Sequence, residues 1–120
     1  MPNSMSTRRS VTPELLALSE IIELLNERFG ANIPQKEGKK FIAQLQQRLA
    51  EDEGLAASVR VNRREDARLS FEHAVNDRIQ DMVDVSLRFY KLLNDDPGFA
   101  EFFRNIMFDR YVESMPANQI

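Results

Sequence analysis

Apolar residues recur along this chain mainly at spacings of three and four, the repeat of an α-helix that buries one face. Leu18, Ile22, Leu25 and Phe29 form the first such stripe. Its helix is expected to begin at Ser19, a good N-cap, and to end at Gly30, a residue suited to a left-handed C-cap. Asn32 to Pro34 read as a linker, with Pro34 at the first position of a second helix. That helix runs to about Glu51 and buries Phe41, Leu45 and Leu49, and Gly38 weakens its first turns by propensity. Glu51 to Gly54 turn the chain into a short third helix around Leu55 to Val61. Ser58 to Asn62 alternate like a strand, but so short a run with no partner makes no sheet.

The longest block is 64–94. Advancing 100° per residue from Phe71 places Val75, Met82, Ser86, Phe89 and Leu93 within about 60° of one line. The phase survives throughout, which predicts one long helix. Asp95-Asp96-Pro97 ends it, with Asp96 capping a last helix that Pro97 starts and that runs to about Glu113. The pattern predicts an all-α bundle of four to five helices, one of them long (about 64–94), in a single domain over 15–115. Residues 1–14 are expected to be a flexible tail and 116–120 a short C-terminal one.

Composition narrows the chemistry more than the fold. The 120 residues are 42% hydrophobic and 29% charged, as in ordinary globular domains. Lys plus Arg number 16 against 19 for Asp plus Glu, which excludes an overall basic coat but leaves room for a local patch. The chain has no Cys, which removes disulfides, thiolate zinc sites, iron–sulfur clusters and Cys nucleophiles, and a single His, which removes any site needing two. No run approaches the ~18 apolar residues of a membrane span. Residues 1–9 are polar, and no apolar stretch follows to make a signal peptide, so a cytoplasmic protein is expected.

Most candidate chemistry has a plainer reading. Glu37-Gly38-Lys39 matches half of a nuclease signature, but it opens a helix and lacks a further acid. His73 falls on the polar face of the long block beside Glu72 and is expected to be solvated. Asp77, Asp81 and Asp84 align along one face, with Arg78, Arg88 and Lys91 close enough to discourage a cation. Arg60, Arg64 and Arg68 form the single basic stripe and are candidate phosphate contacts, although Glu65, Asp66 and Glu72 are interleaved with them. Arg78 points into the apolar stripe between Val75 and Met82, so it must reach an acid of this chain or pair with a partner. The last helix is apolar on two sides. Phe99, Phe102, Phe103, Ile106 and Met107 share one, and Phe108, Tyr111, Val112 and Met115 cover much of the other. The second face is expected to be partly exposed and to dock a partner, unless the helix is simply central.

Two stretches resemble type I restriction enzyme restriction subunits. The run from Ser19 to Gly30, SEIIELLNERFG, is similar to that family's S-x-I-I-x-x-L-N-E-R-F-G pattern near its C-terminus. Asp95-Asp96-Pro97-Gly98-Phe99 is similar to its D-D-P-E-F step, with Gly98 in place of Glu. Between them, Asn62 to Asp77 resembles the family's N-x-x-x-N-x-x-x-x-F-x-x-x-x-x-D helix, with Asp66 at the second Asn and with Phe71 and Asp77 matching. The resemblance covers about Leu18 to Val112.

It implies the helical C-terminal region of a motor whose nuclease and helicase domains lie elsewhere. No phosphate loop, helicase box or nuclease carboxylate set stands in this chain, so no catalytic, cofactor or metal residue carries over, and ATP and Mg would belong to the missing domains. The implied role is assembly, against the helicase lobes or the modification and specificity subunits. Two other readings stay open: an autonomous helical regulatory protein, such as an antitoxin-like binder, and a DNA-binding module using the Arg60 to Arg68 stripe.

Overall fold

A computed structural model describes residues 16–61 and 64–115, with residue 64 described for its backbone only. The expected tails at 1–14 and 116–120 lie outside the described residues. Among the described residues six α-helices follow one another: α1 (Leu18–Phe29), α2 (Gln35–Ala50), α3 (Glu53–Val61), α4 (Arg64–Ile79), α5 (Leu87–Asp95) and α6 (Pro97–Ser114). A 3₁₀ turn, Gln80–Met82, joins α4 to the segment before α5. There is no strand among the described residues, so the all-α class holds.

Local chemistry sets the helix ends. α1 starts one turn's edge earlier than Ser19, because the Glu20 carboxylate accepts the Ala17 N–H at 2.8 Å and carries the helix back to Leu18. Gly30 closes it in the left-handed region at φ 61°, as its position suggests. Pro34 is the residue before α2 rather than its first, with extended backbone. Asp52 Oδ1 accepts the Leu55 N–H at 2.9 Å and starts α3, and Asp96 Oδ1 accepts the Phe99 N–H at 3.1 Å and starts α6.

The long helix expected over 64–94 is two helices. Ser86 is extended (φ −160°), 3% exposed, and both of its hydroxyl's roles are used. Its Oγ accepts the Phe89 N–H at 3.0 Å and donates to the Glu37 carboxylate of α2. This N-cap ends any helix arriving from α4 and begins a new one. The sequence phase hides the break because the interruption, Gln80 to Ser86, is seven residues long. Seven residues are close to two helical turns, with a drift of only about 20°. The stripe residues on both sides are all buried, as the phase predicts, while the backbone between them is not a continuous helix.

α3 and α4 fold back on one another, with the Ser58 hydroxyl donating to Ser70 at 3.0 Å. α6 packs against α1, α2, α4 and α5 and lies at the centre of the molecule. Phe41 stacks on Phe89 at 4.4 Å between ring centres, and Phe89 meets Phe99 and Phe103 edge-on at 5.7 and 5.0 Å. These four rings from α2, α5 and α6 make the core's middle, since all are 0% exposed.

Gly38 is there for space rather than as a weak point of α2. A Cβ at this position would clash with Ile22 Cδ1 and fall 2.9 Å from Ile33 Cγ2. Both isoleucines are buried and cannot swing into solvent. Gly38→Ala is therefore expected to destabilise the chain. Overpacking costs about 1–3 kcal/mol, only partly offset by the ~1 kcal/mol that Ala gains over Gly in a helix. Urea unfolding checks this, and a higher midpoint for the variant would contradict the tight approach of α1 to α2.

Candidate functional site

The basic stripe is carried by two helices rather than one. Arg60 lies on α3, while residues 64 and 68 lie on α4. Arg68 is committed within the chain: it donates to Asn105 Oδ1, stands 4.0 Å from Asp109, and places its guanidinium 4.8 Å from the centre of the Phe108 ring. Arg60 is half-buried and turned toward the end of α6, within electrostatic reach of Tyr111. The side chain of Arg64 lies outside the described residues.

The second face of α6 divides. Periodicity places Phe108 on the partly exposed face, but it is 2% exposed and belongs to the core. The reason is the path of α4, which crosses α6 and sets Phe71 edge-on to Phe108 at 5.3 Å between centres. Phe71 also touches Tyr111, at 5.4 Å. Tyr111, Val112 and Met115 are half-buried and line the last turns of the helix. Burial pushes the Tyr111 phenol above its ordinary value, the charge of Asp52 adds to this, and Arg60 opposes it. Arg110, next to it, ties this end of α6 to the start of the fold. It donates to the Leu16 carbonyl at 2.7 Å and to Gln46 Oε1 at 3.4 Å, and desolvation lowers its pKa from the ordinary value.

The other polar candidates are dispersed. Arg78 reaches Asp52, the same residue that caps α3, so its acid partner lies within the chain. Asp77, Asp81 and Asp84 are exposed and sit on α4, on the 3₁₀ turn and in the following turn respectively. His73 is exposed as well. Glu37 holds the Ser86 hydroxyl and serves the α5 cap. Among the described residues no three His, Asp or Glu side chains gather as a metal site would require, and no helix is long and apolar enough to cross a membrane.

The two segments that carry the family resemblance meet in space, a convergence that neither segment shows in isolation. Asn26 clamps the α1–α2 linker by both ends of its amide: Nδ2 donates to the Ile33 carbonyl at 2.9 Å, and Oδ1 accepts the Ile33 N–H at 2.7 Å. Phe29 sits edge-on to Phe99 at 5.5 Å and to Phe102 at 5.6 Å. Arg28 covers the same Phe102 ring at 4.6 Å. Thus Asn26 to Gly30 and Asp95 to Phe99 form the joint where α1, its linker and the start of α6 come together.

Asn26→Ala is expected to cost about 1–3 kcal/mol, because it strips the partners from both polar groups of a largely buried linker residue. A thermal melt of the variant measures it. An unchanged melting temperature would mean that the linker is held by something other than Asn26.

Arg104 is a polar residue of α6 that helical periodicity alone does not single out. It stands between the apolar sides of α6, and its side chain is only 20% exposed. The signal for it was present: a charge placed within a helix that is apolar on two sides must be paired, covered or used. Comparisons of the chain with family models, with curated proteins and with solved structures give no match.

Proposed function

We propose that this chain is a non-catalytic helical assembly module of the kind that ends type I restriction subunits, coupling a DNA-translocating ATPase and endonuclease to its partner subunits. The observation that carries this reading is the joint just described. The residues of the resemblance are spent on a clamp, a C-cap, a helix start and an aromatic cluster. Motifs whose side chains build the fold fit a module selected for its shape.

The docking surface in this reading is the end of α6, where Tyr111, Val112 and Met115 stay half-exposed, and Phe108 acts from beneath as their support. Partners are the helicase lobes or the modification and specificity subunits. A role in binding DNA through Arg60 to Arg68 is the weaker reading, because Arg68 is already held by Asn105 and Phe108.

Complementation tests the proposal. A restriction subunit truncated before its own helical end is supplied with this chain in trans. Recovery of ATP-dependent DNA cleavage is the expected result, and no ATP turnover is expected from the chain alone. Turnover by the isolated chain that a point substitution within it abolishes would refute the proposal.

A further inference from the structure

No helix-breaking residue separates α4 from α5. Gln80 to Ser86 contain neither Gly nor Pro, the residues that most often interrupt a helix. The backbone is right-handed helical at Ile79 (φ −67°, ψ −21°) and again at Val83 (φ −56°, ψ −39°). At Ser86 it is extended (φ −160°, ψ 104°). A contact from another helix holds that residue: the Ser86 hydroxyl, while capping the Phe89 N–H, donates to the Glu37 carboxylate of α2.

Two helices joined by a bend have no need to share a helical phase, yet these do. At 100° per residue, Phe71, Val75, Ile79, Met82, Phe89 and Leu93 fall within about 80° of one another. All six are buried. A single straight helix over 64–95 would carry them on one stripe. We propose that Gln80–Ser86 is a hinge that straightens to fuse α4 with α5, and that a second copy of this chain exchanges its α5–α6 pair with the first, forming a domain-swapped dimer.

The partner follows from what straightening uncovers. α5 and α6 move as a unit, because Phe89 packs on Phe99 and Phe103 across them. Leaving the domain strips this unit of α1, α2 and α4. It then presents Phe89, Phe99 and Phe108, none more than 2% exposed in the closed chain. Their counterparts are Phe41 of α2, Phe29 of α1 and Phe71 of α4. A second copy opened in the same way offers those rings at the same spacings, so the dimer remakes each contact between chains. The closed and exchanged forms then differ mainly at the hinge, where a cap and its bond to Glu37 are traded for continuous helix. This inference goes beyond the assembly reading and does not rest on it.

The test uses the full chain, half of it labelled with ¹⁵N and ¹³C and half unlabelled. The two are mixed in urea near the unfolding midpoint, concentrated, returned to buffer and sized with light scattering. Wild type is expected to yield a dimer whose share rises with the concentration during refolding. In that dimer, isotope-filtered NOE spectra are expected to show Phe41 of one copy against Phe89 of the other, the pair that stacks at 4.4 Å in the closed chain.

Two variants bias the hinge in opposite directions. Leu87 is the first residue of α5, follows an extended residue and is 53% exposed. Proline suits that place in the bent chain and breaks any helix running through it. Leu87→Pro is expected to melt near wild type and to lose the dimer. Ser86→Ala removes the cap and favours the helix, and is expected to raise the dimerisation constant roughly tenfold or more. Monomer alone from both wild type and Ser86→Ala overturns the proposal. So does a dimer in which the Phe41–Phe89 contact stays within each chain, or a folded Leu87→Pro that dimerises as wild type does. The wild-type contact decides by itself, whether or not Leu87→Pro folds.

Discussion

Phe103→Ala is expected to cost the chain about 3–5 kcal/mol, the usual range for truncating a fully buried aromatic ring. Phe103 is 0% exposed. It meets Phe89 edge-on at 5.0 Å and lies parallel to Phe99 at 6.4 Å, so the lost ring leaves a void where α5 and α6 join. The surrounding rings are held by several helices at once and cannot collapse into the gap, which places the cost in the upper part of that range. A small domain has only about 5–15 kcal/mol in total. Urea unfolding should therefore show a midpoint lowered by a large fraction of its wild-type value. A loss below ~1 kcal/mol would mean that α6 is not central.

Phe108→Ala is expected to cost nearly as much, about 3–4 kcal/mol. Periodicity alone places this ring on the outer face of α6, where truncation would cost ~1 kcal/mol or less. Burial at 2%, the edge-on contact with Phe71 and the guanidinium of Arg68 over the ring reverse that expectation. A double-mutant cycle with Phe71→Ala separates the pair from general packing. A coupling of about 0.5–1.5 kcal/mol is expected for an aromatic pair of this geometry. Zero coupling, with a small single-mutant loss, would restore Phe108 to the surface.

These two rings show where the sequence was legible and where it was not. The helical class, the left-handed Gly30 cap, the Asp96-Pro97 start and the inward face of α6 all rest on local signals, and the structure contains each of them. The break between α4 and α5 was hidden, because an interruption near two full turns leaves the wheel phase unchanged. Phe108 was hidden for another reason. A helix apolar on both sides states that something covers it, and only the crossing of α4 decides whether that cover is this chain or another. Arg78 behaved likewise: its position in the apolar stripe demanded an acid, but the choice of Asp52 depends on how α3 returns. Regular spacing across Arg60 to Arg68 presumes one helix, whereas Arg60 lies on α3 and Arg68 on α4, two helices that pack on one another. The candidate docking residues Tyr111, Val112 and Met115 keep the partial exposure expected of them.

Co-elution tests the account's central claim, that the chain is an assembly module docking through the end of α6, most directly. The chain is mixed with a type I restriction subunit lacking its helical end and with the modification–specificity complex, and passed over a sizing column with light scattering. The account predicts a stoichiometric complex that Val112→Asp abolishes while the variant's own melting curve stays near wild type. A folded wild-type chain that elutes alone from every mixture would contradict it.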